Sequence, residues 1–332
     1  MTGPSRRVAV LGAGVAGLTC ARLLQEACIE VMVFDKGFKS GGRLATRRSP
    51  LEHQFDHGAQ YMTAVDHRFQ QAMTAWHEAG WVLPWQGRIV RIEHDGQITH
   101  RTRTHWVAVP GMNHLAHQLG AGLVLHTGWT VTGLAERSGL WWLLGAHDDA
   151  GPFTDVLICT PAPQALALVA SHQPEFATSL SQVVMMPCWA VMVAFERMPE
   201  VSYVAAHIIG RSPLGWIANN ASKPGRKSDP CWVLHANARW SEDHLEAEPQ
   251  WIIAQLLAEW ESQLGNRLPA VTEAIAHRWR YARATKPLGV PSAYDRLRHL
   301  GVAGDWCIDQ KVEAAYLSGA DLAQRVLMDI SR

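Results

Sequence analysis

The sequence has no charge excess of either sign, since 30 lysines and arginines balance 30 aspartates and glutamates. Bulk charge therefore gives no reason to expect nucleic acid or a membrane surface as a partner. No uninterrupted apolar stretch reaches about 18 residues, which excludes a predicted transmembrane helix. Arg6-Arg7 before an apolar run resembles a signal peptide, but that run contains the glycine motif described below, and cleavage would destroy it. There is no CxxC pair. Cys20, Cys28, Cys159, Cys188, Cys231 and Cys307 are scattered, which favours reduced thiols and a cytoplasmic protein over a disulfide framework or a zinc site. The pairs His53/His57 and His114/His117 have chelate-like spacing, yet no carboxylate or cysteine completes a recognisable set with either, so no metal is expected. A GxSxG nucleophile, internal repeats and low-complexity tracts are also absent. Tyrosine is scarce, at 5, while tryptophan reaches 15 and histidine 17. Most of the tryptophans are expected in cores or domain interfaces, leaving a few to stack on planar ligands. The histidines would make the chain net positive in mild acid.

What is present begins at once. Arg7-Val8-Ala9-Val10-Leu11 reads as a buried strand, Gly12-Ala13-Gly14-Val15-Ala16-Gly17 follows, and Leu18 to Ala27 reads as a helix. A second strand, Glu30 to Phe34, ends at Asp35. In this β-α-β context Gly12 permits a tight turn, Gly14 lets the backbone approach a pyrophosphate, and Gly17 lets helix and strand pack closely. The helix N-terminus offers free N–H groups to phosphate. Asp35 can accept hydrogen bonds from an adenosine ribose. Ser40-Gly41-Gly42-Arg43 and Phe55-Asp56-His57-Gly58-Ala59-Gln60-Tyr61 suit further contacts to a long ligand. Near the C-terminus, Leu300 to Asp305 reads as a short strand, a glycine turn and an acid, and Lys311 to Leu327 as a helix. A nucleotide fold completed only by its last thirty residues must contain an insertion. The 332 residues, 48% hydrophobic, suffice for two domains.

Between these ends, Asp66–Ala79 reads as a helix and Arg88–Thr104 as paired strands around an Asp95-Gly96 hairpin turn. Asn113–Leu119 reads as a helix, and 124–127, 130–136, 140–145 and 156–160 as strands. Cys188–Phe195, Leu214–Asn219 and Trp232–Asn237 read as strands, and Pro249–Leu264 as a helix with proline in its first turn. Two segments are rich in groups that could hold an anionic, planar substrate. One is Asn219, Asn220, Lys223 and Arg226 with His235 and Arg239. The other is His277-Arg278-Trp279-Arg280-Tyr281-Ala282-Arg283. Guanidinium suits phosphate, and aromatic faces suit stacking. The same residues also fit a strand alternating buried aromatics with solvated arginines.

GAGVAG, Asp35-Lys36, SGGRLATRR, FDHGAQY and the closing AGDW…VEAAYLSGADLA together resemble the FAD-dependent amine oxidase superfamily. WIANNASKPGR, WVLHANARWS and HRWRYARA make the chain most similar to its bacterial renalase-like branch. The resemblance implies an α/β, two-domain, glutathione-reductase-like FAD fold with an inserted mixed-sheet substrate domain. Residues 1–63, 106–165 and 296–332 would bind FAD, and 64–105 and 166–295 would form the substrate domain. It implies FAD contacts from Gly12, Ala13, Gly14, Ala16, Gly17, Asp35, Lys36, Gly42, Arg43, Gly58, Ala59, Gln60, Tyr61, Val131, Gly304, Asp305, Val312, Ala314 and Ala315. Substrate contacts are expected from Asn219, Asn220, His235, Arg239, Trp279, Arg280 and Tyr281. The flavin itself carries the redox chemistry. FAD is expected to be non-covalent, because Cys307 is outside the local motif of cysteinyl attachment. The implied activity is oxidation of 2- and 6-dihydro isomers of NAD(P) to NAD(P)+, with oxygen reduced to hydrogen peroxide. Alternatives are an amine or other small-molecule flavin oxidase, or a non-catalytic nucleotide-fold protein. In true amine oxidases a tyrosine often precedes the stretch matching Val312-Glu313-Ala314-Ala315. Lys311 stands there instead and would repel a protonated amine.

Overall fold

The computed structural model describes residues 6–93, 96–100 and 103–331. The N-terminal strand Arg7–Leu11 lies inside a six-stranded sheet. Its parallel neighbours are Glu30–Asp35 and Asp155–Ile158, followed outward by Val124–Thr127 on one side and Leu300–Val302 on the other. Ala293–Asp295 adds an antiparallel edge. The strands alternate sides, as a two-residue period requires. Val8, Val10, Val31 and Val33 meet Leu18, Ala21 and Leu24 of the helix Val15–Glu26 and Leu322, Ala323 and Val326 of the helix Val312–Ile330. Ala9, Leu11, Phe34 and Ile158 meet Leu134, Trp141, Leu143 and Phe153 of a separate three-stranded antiparallel sheet. Both faces are thus covered, which explains the continuous apolar runs of these strands.

A second, seven-stranded sheet has the order Val271–Lys286, Val184–Phe195, Cys231–Ala236, Leu214–Asn219, Ala205–Ile208, Ile89–Ile92, Ile98–His100. Only Ala205–Ile208 with Ile89–Ile92 is parallel. Trp189, Val191, Val193, Ile217 and Leu234 on one face pack under the helix Pro249–Leu264 through Ile252, Ile253, Leu256 and Trp260. The opposite face carries Met192, Ala194, Cys231 and Val233 against Phe55. It also sends Ala205, Trp216 and Ala218 into the core shared with the nucleotide sheet.

The helix Asn113–Leu119 and the strands Val124–Thr127, Leu140–Gly145 and Leu214–Asn219 have the limits expected from sequence. The helix at 66–79 is His67–Glu78, with Asp66 as its N-cap accepting from the Arg68 N–H. The hairpin at Asp95-Gly96 rests on Asp95, outside the described residues, although the flanking strands Ile89–Ile92 and Ile98–His100 pair antiparallel. The segment 277–283 belongs to the sixteen-residue strand Val271–Lys286, whose pairing with Val184–Phe195 shifts register between Met186 and Cys188, opposite Trp279 to Arg283.

Candidate active site

The two glycine turns form one cradle. The Gly12 N–H donates to the Phe34 carbonyl at 2.7 Å, and a Cβ on Gly17 would lie 1.9 Å from the Gly12 carbonyl oxygen, so helix and strand touch there. Gly14 caps the twelve-residue helix Val15–Glu26 without any side-chain hydrogen bond, and a Cβ on it would meet nothing within 4 Å. The first N–H groups of that helix therefore open beside unfilled space, an arrangement that fits a pyrophosphate. The second turn lies directly against the first: the Gly41 N–H donates to the Ala13 carbonyl, and Gly42 approaches the Gly14 Cα. Asp35 accepts the Ala13 N–H through Oδ2 and the Gly37 N–H through Oδ1, both at 2.6 Å. The Trp129 N–H donates to the Asp35 carbonyl, which brings the start of the strand Val131–Arg137 to the same rim. Lys36 is exposed and Ala16 is buried beneath the helix Val312–Ile330.

Arg43 joins this cradle to the C-terminal turn. Its guanidinium makes two bonds to Asp305, at 2.8 and 2.5 Å, and a third to the Ala282 carbonyl. Its own carbonyl accepts the Ala59 N–H, and a Cβ on Gly58 would sit 2.0 Å from that oxygen. The Gly304 N–H is held by Ser318 Oγ. Val312, Ala314 and Ala315 lie in the first turn of the helix Val312–Ile330, with Ala314 buried. Gln60 donates to the Asp56 and Gly58 carbonyls, and the Tyr61 hydroxyl meets His207 Nε2 at 3.0 Å. Gly12, Ala13, Gly14, Asp35, Gly42, Arg43, Gly58, Ala59 and Asp305 are thus brought together, whereas Lys36 is exposed.

The substrate candidates divide. His235 Nε2 and Trp279 Nε1 both contact the His57 carbonyl, at 3.1 and 2.9 Å. Trp279 stacks on the His57 ring, and His277 meets both rings edge-on. Burial, with further effect from His277 and Arg47, pushes His57 down to about 4. Burial and the charge of Arg283 push His235 down to about 3. His277 is lowered by burial and by Arg47. The imidazoles are therefore neutral at pH 7 within a positive field. Tyr281 lies half-buried in the irregular stretch beside Ala282.

Arg239 and Arg280 are not brought to this cluster. Successive strand residues point to opposite faces, so Arg278 and Arg280 turn to Glu246 while His277 and Trp279 turn to His57. Arg239 is exposed and pairs with Glu242 and Asp243 along its own helix, Ala238–Asp243. Asn219 faces a separate cavity of about 330 Å³ shared with Met198, Tyr203 and Trp232. Asn220 is buried and braces the strand Gln54–Asp56, accepting the Asp56 N–H and donating to the Gln54 carbonyl. Lys311 caps the last helix and pairs with Asp309 at 2.5 Å, so its charge is partly compensated.

Lys223 and Arg226 have a use that sequence reasoning missed. Both are buried against Asp56, whose Oδ2 lies 3.3 Å from Lys223 Nζ and 2.7 Å from Arg226 Nη2. Asp56 Oδ1 accepts from Thr46 Oγ1 and the Met112 N–H. Lys223 also donates to Gln60 Oε1. These cations and hydrogen bonds overcome the burial of Asp56 and hold its carboxyl well below the usual range. Burial pushes Lys223 down to about 8 despite Asp56. The signal available in sequence was the acid of FDHGAQY, which needs a buried partner.

A family model described as NAD(P)-binding Rossmann-like domain matches residues 10–78, and one described as flavin containing amine oxidoreductase matches residues 90–327. The chain is 24% identical over 301 residues to renalase of Mus musculus, covering 84% of this chain and 85% of that one. It is 40% identical over 63 residues to the L-glutamate oxidase precursor of Streptomyces diastatochromogenes, covering 18% and 10%. Its fold is similar to that of a putative protoporphyrinogen oxidase from Exiguobacterium sp. 255-15, with TM-score 0.78 at 13% identity over 100% of both chains. A putrescine oxidase triple mutant gives TM-score 0.76 at 12% identity, over 97% of this chain and 99% of that one. Among the described residues, no helix is long and apolar enough to cross a membrane. The Rossmann-like match falls on the glycine cradle and the flavin match spans well over half of the sequence, so the chain belongs to the flavin containing amine oxidoreductase family and is an FAD-dependent oxidoreductase.

Proposed function

We propose that this oxidoreductase oxidises 2- and 6-dihydro isomers of NAD(P) to NAD(P)+ and passes the electrons to oxygen, forming hydrogen peroxide. The substrate loses a hydride, and oxygen takes up its two electrons together with the hydride's proton and a second proton from solvent. FAD, when bound, supplies the hydride acceptor. We further read the two large sheets as a glutathione-reductase-like two-domain arrangement, with residues 1–63, 106–165 and 296–332 holding FAD, without a covalent bond, and the remainder holding substrate.

The observation that carries the substrate class is the neutral cluster of His57, His235, His277 and Trp279 within reach of the charges of Arg47 and Arg283. A positive field disfavours a protonated amine and favours an anionic dinucleotide. Asp56, next to His57, is already matched by two cations and offers nothing to an ammonium group. The flat faces of Trp279 and His57 suit stacking on a nicotinamide ring. Formation of an aromatic ring supplies the driving force, so no strong base is required of the chain. A cluster of this kind, uncharged at pH 7, can orient the ring and exclude water.

Anaerobic mixing tests the reading through bleaching of the flavin absorbance. Fast bleaching is expected with the 2- or 6-dihydro isomers, slow bleaching with ordinary NAD(P)H and almost none with monoamines. Rapid bleaching by a monoamine, without response to either isomer, would leave the family intact and refute the substrate assignment.

A further inference from the structure

Three ligand-type side chains and a supporting carboxylate from distant parts of the chain meet at one face of the seven-stranded sheet. Donor atoms of His53, Asp229 and Cys231 all lie within 4.8 Å of one another. Glu273 Oε2 is 2.8 Å from His53 Nδ1, and both side chains are largely buried, at 12% and 19% exposure.

The sheet register explains the convergence. Glu273 is paired with Ala194, and Ala194 with Cys231. Residues directly opposite each other across antiparallel strands project from the same face. Glu273 and Cys231 thus rise on either side of the small Ala194 side chain. His53 approaches from the turn that leads into the strand Gln54–Asp56, which packs on this face through Phe55. Asp229 comes from the turn before Cys231, whose N–H donates to the Asp229 carbonyl.

Two carboxylates, an imidazole and a thiol are gathered together. Among the described residues Asp229 has no ion pair, and the one ion-pair partner of Glu273 is His53. By contrast, Asp56, three residues beyond His53, is matched by two buried cations. Nitrogen, sulfur and oxygen donors in one compact set are the ligand types of zinc. A carboxylate against a ligating histidine is the usual device that fixes the ring's tautomer and orientation.

We propose that His53, Asp229 and Cys231 bind one divalent ion of the zinc class, with Glu273 as the positioning residue for the imidazole. On binding, the Cys231 S–H bond breaks, a sulfur–metal bond forms and the proton passes to solvent, with no change of oxidation state. The ion would tie the strand Gln54–Asp56 to the sheet and steady the stretch that delivers His57 to the active site. The sequence alone pointed away from a metal because Asp229 and Cys231 stand far from His53 in the chain and only the fold brings them to it.

The test uses the FAD-loaded protein, stripped with EDTA, desalted and titrated with zinc chloride. Metal content after a second desalting should approach about one zinc per chain and fall at least about tenfold in His53→Ala and Cys231→Ala, with Glu273→Gln weakening zinc affinity by about 10–100-fold. Cys28→Ala, at the exposed cysteine, should retain zinc in full. Wild-type protein titrated with cobalt(II) should show a thiolate-to-cobalt charge-transfer band in the difference spectrum, a measurement independent of any variant. Zinc below about 0.1 per chain, uptake unchanged in Cys231→Ala, or no cobalt–thiolate band would overturn the proposal.

Discussion

Replacing Asp56 by asparagine is the sharpest test of the buried charge group. The substitution keeps the side-chain shape, but an amide aimed with its oxygen at Thr46 and the Met112 N–H must turn its NH2 toward Lys223 and Arg226. Two cations, 0% and 1% exposed, then face donors instead of an anion. Removing one partner from a buried ion pair costs about 3–5 kcal/mol. Over 332 residues the unfolding entropy is about 0.7 kcal/mol/K, so the midpoint should fall by about 4–7 °C. Thermal unfolding followed by tryptophan fluorescence at pH 7 would measure it. The loss should also shrink as pH rises. Lys223 sits at about 8 in the folded protein, below its ordinary 10.5, so the unfolded chain binds more protons in that window and stability climbs with pH. Without Asp56 that window opens at lower pH, and the variant sheds the Lys223 proton sooner. A midpoint within about 1.5 °C of wild type at pH 7 corresponds to about 1 kcal/mol. That result, or a deficit growing between pH 7 and 9, would refute the reasoning.

Asp35→Ala frees the Ala13 and Gly37 N–H groups and removes an acceptor from the cradle. FAD affinity, read by flavin fluorescence quenching on the apoprotein, should weaken by about 1–3 kcal/mol, or about 5–150-fold. Unchanged affinity in a folded variant would show that this carboxylate does nothing for the cofactor. Cys307 is fully buried and its thiol is pushed up to about 12 by burial, so it is a poor nucleophile, and acid precipitation should release all the flavin colour into the supernatant. Colour retained in the washed pellet would reveal a covalent link. His57 and His235 are held near 4 and 3, below the ordinary 6.5. Their effect on stability is complete above about pH 6.5 and is lost as the pH falls toward those values. The urea midpoint should therefore drop between pH 6.5 and 4, and less steeply in His57→Phe. An equal slope in that variant would remove His57 from the account.

The readable parts of the chain were those with local causes. The run from Gly12 to Gly17, with a strand before it and Asp35 after the next, specifies its own geometry within thirty residues. Pro249–Leu264 and Leu214–Asn219 declare themselves by period and by end residues. The strand Val271–Lys286 was harder, because arginines and aromatics alternate along it and either set could have faced the site. Only its neighbours decide that Trp279 meets His57 and Arg280 meets Glu246. Arg239 carried a readable signal that was passed over: acids at three and four residues ahead, the spacing of helical ion pairs. Asp56 and Lys223 are separated by 167 positions, so no local pattern could join them.

The place of the last strand in the nucleotide sheet has a consequence for how the protein is made. Leu300–Val302 pairs with Asp155–Ile158, itself beside Arg7–Leu11, and a Cβ on Gly319 would lie 2.1 Å from the Ala16 carbonyl oxygen. The glycine loop leaves the ribosome well before the strand Leu300–Val302 and the helix Val312–Ile330 that close it. At about 5–20 residues per second, Leu18, Ala21 and Leu24 wait about 15–60 s for their final covering helix. During that interval the nascent chain presents an apolar helix face to chaperones. Flavin retention then requires the strand Leu300–Val302 and the helix Val312–Ile330: a chain stopped at residue 298 should emerge from a cell-free synthesis containing FAD without colour.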